Sequence, residues 1–247
     1  MAQAFFCSSC FQAGPIALVV PSMSSSASLE ATWAPGADAG HVMVHLSVTP
    51  SAVATRPPGD ICVVVDVSGS MQKQVEVKET GAPPLSVLDI VRHAVRTVVH
   101  TMEAKDRLGI VAYSDKARTV LELTSMDDAG KASADAALET LHADGQTNLW
   151  GGLTLGLEQL RRGNRSGSHL GASSAVMLLT DGVPNVEPVG GNLAALRQYR
   201  KEQGGKLPGI LHTFGFGQDL DSKLLSELAR EGDGGYVFIP DAGFVGT

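Results

Sequence analysis

The chain has 247 residues, 43% of them apolar, a formal net charge of −7 and a pI near 5.4; that length buries a substantial core in one domain and leaves room for an appendage. Acidity, and the lack of any Lys/Arg run, argue against nucleic acid as a partner, since phosphate attracts a basic surface. No apolar stretch approaches the roughly 20 residues that span a bilayer.

Cys7, Cys10 and Cys62 are the only cysteines, too few for a disulfide framework, and they suit a reducing, cytoplasmic setting. Met1 to Pro21 has apolar patches but no Lys or Arg to begin a signal peptide, and reads as non-secretory. Cys7 and Cys10 are spaced C-x-x-C. With no second ligand pair and no βα context, they read as incidental residues of a tail. Ser22 to Ala37 is small and polar and reads as a linker, so residues 1–40 are expected to form a flexible N-terminal segment. The domain proper is expected over 41–247, with a leading strand and linker in 41–58 and an α/β core in 59–247. Val42, Val44, Leu46 and Val48 alternate with Met43, His45 and Ser47, the period of a half-exposed strand.

Ile61 to Val65 has the β-branched content of a strand buried on both faces, as at the centre of a parallel sheet. It ends in Asp66-Val67-Ser68-Gly69-Ser70, which turns a carboxylate and two hydroxyls toward one region, three hard oxygens suited to a hard cation. Gln72 to Leu85 is a charged surface excursion. Ser86 followed by Asp89 signals a helix start, and Val87, Val91, Ala94 or Val95, Val98 and Met102 give it one apolar face. Leu108 to Tyr113 and Ala117 to Leu123 are strands joined by three residues, which permits only an antiparallel hairpin.

Asp127 to Ala143 reads as an Ala-rich helix, Gly145-Gln146-Thr147-Asn148 interrupts it, and Leu149, Leu153, Leu157 and Leu160 begin another. Gly163 to Ser173 is a Gly/Ser loop. Ala175 to Leu179 is a buried strand ending in Thr180-Asp181-Gly182, followed by a helix over 192–203, a strand over 210–214, a helix capped by Asp221 and a last strand over 236–239. The pairs Gly151-Gly152, Gly190-Gly191 and Gly204-Gly205 read as turns and caps. Strands alternating with helices predict a doubly wound, Rossmann-like α/β domain. Its central sheet is expected to hold about six mostly parallel strands with one antiparallel edge strand, and helices on both faces.

In such a sheet, ligands gather at the carboxyl ends of the strands. Asp66, Ser68, Ser70, Thr147 and Asp181 are all expected at that edge. Two carboxylates and three hydroxyls suit Mg²⁺ or Mn²⁺, which keep waters in part of their octahedron. Asp66-x-Ser68-x-Ser70, a distant Thr147 and Asp181 in Leu-Thr-Asp-Gly, separated by about 80 and 35 residues, together resemble the metal ion-dependent adhesion site of von Willebrand factor type A domains. The resemblance covers His41 to the end. It implies that Ser68, Ser70 and Thr147 bind the metal directly, that Asp66 and Asp181 act mainly through water, and that a partner protein's Asp or Glu completes the octahedron. Thr213 to Gly217 and Gly235 to Ile239 also resemble intracellular plant and protist members, some of which carry RING or U-box modules absent here. Ending just after its last strand, the chain reads as a piece of a longer protein.

Other readings of these residues compete with metal binding. Each Asp, Ser or Thr alone is explained by turns and capping, but capping does not account for Ser-Gly-Ser together with two acids at one sheet edge. Asp115, Asp219 and Asp221 read as turn and cap residues, and the histidines are scattered. A serine hydrolase would need a Gly-x-Ser-x-Gly elbow, and a P-loop would need Gly-x4-Gly-Lys-Ser/Thr; neither motif occurs. A metal-dependent hydrolase or phosphatase of the haloacid dehalogenase type needs a second acid where Ser68 stands. A scaffold with a vestigial metal site is the remaining alternative. The expected function is cation-dependent protein binding, with specificity in the loops 72–85, 163–173 and 183–191.

Overall fold

A computed structural model describes residues 27–35, 42–50, 56–75, 84–165 and 173–240. They fall into two compact units, residues 1–56 and 57–247, considered separately. Cys7, Cys10, most of the 72–85 excursion and most of the 163–173 loop lie outside the described residues. Among those described, no helix is long and apolar enough to cross a membrane.

In the first unit β1 (Ala27–Pro35) pairs antiparallel with β2 (Val42–Pro50), residue for residue from Ala27 opposite Pro50 to Pro35 opposite Val42. The expectation of a linker over Ser22 to Ala37 is corrected by β1. Small residues set a weak local preference, and a facing strand that supplies a full ladder overrides it.

The second unit begins with β3 (Gly59–Asp66), followed by a 3₁₀ turn at Gly69–Gln72 and a two-residue pair, β4 (Gln74–Val75) with β5 (Leu85–Ser86). Then come α1 (Val87–Thr101), β6 (Arg107–Tyr113), β7 (Ala117–Ser125), α2 (Asp128–Glu139), α3 (Leu149–Arg165) and β8 (Ser173–Thr180). The unit ends with α4 (Asn192–Glu202), β9 (Ile210–Phe216), α5 (Ser222–Glu231) and β10 (Tyr236–Ile239). The six-stranded sheet has the order β10-β9-β8-β3-β6-β7, parallel throughout except for the antiparallel β7 at one edge. This is the expected doubly wound α/β architecture.

β3 lies at the centre because its side chains are apolar on both faces. Val63 and Val65 enter one core with the buried residues of α1 and α2, while Cys62 and Val64 enter the other with those of α3, α4 and α5. Alternation along a strand makes that division automatic. The connection leaving β3 therefore goes to one face and the connection leaving its neighbour β8 to the other. A crevice must open between their carboxyl ends.

Ser86 caps α1 in a reciprocal box, its hydroxyl accepting from the Asp89 backbone N–H at 3.1 Å and the Asp89 carboxylate accepting from the Ser86 N–H at 3.0 Å. α2 stops at Glu139, four residues before the expected end at Ala143. Leu141 is fully buried, and the Asp144 N–H donates to the Val67 carbonyl at 2.8 Å, so the chain leaves the helix to run along the sheet edge. Gly152 is not a turn residue; it lies inside α3. A Cβ there would sit 2.4 Å from the Tyr113 ring, and one on Gly156 2.5 Å from Val64. These two glycines let α3 pack directly on the sheet.

Candidate metal centre

Three neighbouring strands end side by side. Asp66 closes β3, Tyr113 closes β6 in register with it, and Thr180 closes β8 one step beyond the Val65–Leu179 pair. All three side chains are fully buried. The Asp66 carboxylate accepts from the Thr180 hydroxyl at 2.6 Å and the Tyr113 hydroxyl at 3.2 Å on one oxygen, and from the Ser68 N–H at 2.8 Å on the other. Burial pushes the Asp66 carboxyl above its ordinary range, the Thr180 and Ser68 hydrogen bonds pull it back, and the nearby Asp181 adds repulsion. Tyr113 is pushed well up, first by burial and then by the Asp66 charge, so its phenol stays a proton donor.

Above Asp66 the 3₁₀ turn presents the two serines. Their hydroxyls lie 3.1 Å apart, and Ser70 Oγ donates to Asp181 Oδ1 at 2.7 Å. Asp181 follows β8 and is nearly buried. Burial raises its carboxyl, while the Ser70 hydrogen bond and the Lys73 charge oppose the rise. Thr147 is held by Asn185: the Thr147 N–H donates to Asn185 Oδ1 at 2.8 Å, and the Thr147 carbonyl accepts from the backbone of Asn185 and Val186. The Gly69 N–H donates to the Gly145 carbonyl at 3.0 Å, and Gly145 itself has φ +81°, a conformation glycine adopts without strain. Loops after β3 and β8, and the loop before α3, are thus stitched together through their backbones.

These loops enclose a cleft of about 230 Å³ lined by Ser68, Ser70, Thr147, Asp181 and Asn185, with Lys73 and Asp219 also on its wall. Four of the five residues anticipated as metal-linked face the cleft, and Asp66 lies behind them. Thr180, Tyr113 and Asn185 were not anticipated. Thr180 was legible as a hydroxyl at a strand end beside Asp181, whereas nothing in the sequence pairs Asn185 with Thr147. Asp221 caps α5 by accepting from the Leu224 N–H at 2.9 Å, the cap role expected, whereas Asp115, in the turn between β6 and β7, reaches across to the loop before α3 and accepts from the Gln146 N–H at 3.1 Å. Asp219 differs, since it reaches the cleft and pairs with Lys73 at 2.5 Å.

Among the described residues no three His, Cys, Asp or Glu side chains converge on one point, so any cation here would be held chiefly by hydroxyl oxygen. That donor set suits Mg²⁺ or Mn²⁺ better than the nitrogen and sulfur ligands zinc commonly takes. Adjacent ligands of an octahedron with metal–oxygen bonds of 2.0–2.1 Å stand about 2.9 Å apart. The Ser68–Ser70 separation of 3.1 Å lies close to that edge length. Ser70 can keep its proton on Asp181 while its lone pair faces the cleft. The donors present therefore fit such an ion. A nucleophilic role for Asp66 does not fit, because the carboxylate lies behind the lining residues with both oxygens engaged.

The family model for the von Willebrand factor type A domain matches residues 60–243. An uncharacterised protein of Synechocystis is 29% identical over 184 residues, covering 74% of this chain and 38% of that protein. Human inter-alpha-trypsin inhibitor heavy chain H1 is 27% identical over 177 residues, covering 71% of this chain and 18% of the heavy chain. The chain thus spans well under half the length of these relatives. A von Willebrand factor type A structure from Catenulispora acidiphila superposes with a TM-score of 0.61 at 23% identity, over 83% of this chain and 42% of that one. Proximal thread matrix protein 1 of the mussel byssus, solved with a zinc-occupied MIDAS motif, superposes at 0.52 and 20% identity, over 74% of this chain and 41% of that one.

Proposed function

Because the chain belongs to the von Willebrand factor type A domain family, whose members are commonly interaction modules, we propose that it is a divalent-cation-dependent protein-binding module. Ser68, Ser70 and Thr147 bind Mg²⁺ or Mn²⁺ directly, and Asp66 and Asp181 hold it through water. The supporting observation is the pair of 3.1 and 2.7 Å contacts joining Ser68, Ser70 and Asp181 on the wall of a cleft that Thr147 also lines. The mussel protein holds a divalent cation, zinc, in its own MIDAS motif, which supports the divalent-cation part of this reading and not the choice of Mg²⁺ or Mn²⁺.

Bound there, the cation supplies a Lewis-acidic position open to a carboxylate. The chain's own residues prepare that position. Tyr113 and Thr180 hold Asp66 in one orientation, and Asp66 in turn fixes the Ser68 backbone. Asn185 fixes Thr147. Ser70 links the two acids by donating to Asp181. Asp66, the nucleophile a hydrolase would need, lies behind the residues that line the cleft, and the hydrolase alternative is not carried forward. A cytoplasmic location belongs to the same proposal; buried, unpaired Cys62 is compatible with it.

Calorimetric titration of Mg²⁺ and Mn²⁺ into the wild-type chain and Asp66→Ala tests the reading. Binding in the wild type and its loss in the variant are expected. An absence of heat in the wild type leaves only the vestigial scaffold, and equal binding in the variant removes Asp66 from the site. Partner capture with and without a chelator extends the test to the interaction.

A further inference from the structure

The ion pair on the wall of the cleft is unused by the reading above. Lys73 follows the 3₁₀ turn directly. Its backbone is fixed at both ends: the Lys73 N–H donates to the Ser70 carbonyl at 2.9 Å, and its own carbonyl accepts from the Val87 N–H at 3.0 Å. Its side chain is free to move, being 57% exposed. Asp219 comes from the loop between β9 and α5, and its side chain is 77% exposed. The two meet at 2.5 Å across 146 residues of sequence. Both line the same cleft as Ser68, Ser70, Thr147 and Asp181.

So exposed a pair contributes little to stability, typically about 0–1 kcal/mol, and its partners exchange at small cost. What it displays is where a carboxylate sits when Lys73 holds it. The ammonium also reaches inward electrostatically: it opposes the upward shift of Asp181, and Asp219 adds to that shift. One small cleft therefore offers two separate acceptors for carboxylate, a cation over the serines and an ammonium on the neighbouring wall. Val183, 55% exposed, lines it between polar groups.

We propose that Lys73 is a second carboxylate anchor, so that the cleft takes an acidic peptide segment with two neighbouring carboxylates, one for the cation and one for Lys73. Asp219 occupies the second place while the segment is absent and is displaced when it arrives. This rests on the cation reading above. It extends that reading from a single acidic side chain to an acidic pair, and it makes Lys73 a specificity-determining residue. Charge complementarity carries it: a lone carboxylate would satisfy the cation and leave Lys73 on Asp219, whereas a pair satisfies both.

The probes are two acetylated, amidated dipeptides of nearly equal size, Asp-Glu and Asp-Gln, titrated at low ionic strength into the full chain saturated with Mn²⁺. Displacement of Mn²⁺-bound water is followed by proton relaxation. The wild type is expected to prefer Asp-Glu by about twofold, one partly exposed ion pair less the Lys73–Asp219 pair it replaces. Lys73→Met is expected to bring the ratio to one, and Asp219→Asn, which frees Lys73, to raise it above the wild-type value. In the metal-free chain neither substitution should move the melting temperature by more than about 4 °C. A larger drop would make the pair structural and overturn the proposal. So would a wild-type ratio of one, or a ratio unchanged in Lys73→Met, with Mn²⁺ still bound. Failure of the wild type to bind Mn²⁺ at all overturns the cation reading together with this one.

Discussion

Thr180→Val removes one oxygen from the fold and almost nothing else. Thr180 is fully buried, and its hydroxyl donates to Asp66 at 2.6 Å. Valine keeps the shape and loses the hydroxyl, leaving the Asp66 carboxylate with Tyr113 and the Ser68 N–H and removing the longer 3.3 Å contact that the Gly182 N–H makes to the same oxygen. A hydrogen bond to a charged group contributes about 1.5–3 kcal/mol, so the metal-free variant should be less stable by about 2 kcal/mol at pH 7.5. For a folded unit spanning residues 57–247, that corresponds to a fall in Tm of roughly 4–8 °C. The loss should shrink in acid. Asp66 has a folded-state pKa raised above its ordinary 3.8, so between the two values the folded state binds more proton than the unfolded, and stability grows as pH falls through that window. Valine raises the folded pKa further, which lets acid recover part of the loss. Calorimetric melts of wild type and variant at pH 7.5 and pH 5 measure it. A loss under about 0.5 kcal/mol at pH 7.5 would refute the view that Thr180 holds a buried, ionised Asp66.

Two further outcomes follow from the same geometry. Mn²⁺ affinity should weaken as the pH falls, because Asp66 and Asp181 both have raised pKa values and take up protons in competition with the cation; affinity that stays constant down to the onset of acid unfolding, by calorimetry, would count against either acid contributing. Gly152→Ala should cost about 1–2 kcal/mol net in a urea melt, although alanine favours the helix by about 1 kcal/mol, since its Cβ would meet the Tyr113 ring at 2.4 Å. It should also weaken cation binding by moving the phenol away from Asp66.

The N-terminal hairpin marks a limit of local reading. β1 is built from Ala, Ser, Glu and Pro as much as from Leu29 and Trp33, a composition typical of linkers. Only the ladder offered by β2 makes it a strand. Gly152 marks another: beside Gly151 it looks like a turn, yet it belongs to a helix that must approach Tyr113 closely, a requirement that exists only once the sheet is assembled. The truncation of α2 has the same origin, since Leu141 and Asp144 are committed to the core and to Val67.

The strands of the central sheet were legible because residues buried on both faces leave continuous apolar runs, and Asp66, Ser68, Ser70 and Asp181 were legible because polar groups end those runs abruptly. Alternation of strand and helix was enough to bring them to one edge. The residues that hold the acids and Thr147 in place were decided by tertiary structure alone. Tyr113 looks like the end of another strand until register sets it beside Asp66, and Asn185 is a loop residue until it meets the Thr147 backbone. Lys73 and Asp219 are ordinary surface charges until the fold joins them across 146 residues. Burial periodicity is written along the chain, residue by residue; hydrogen bonds between strand ends and loops depend on distances that only the folded chain defines.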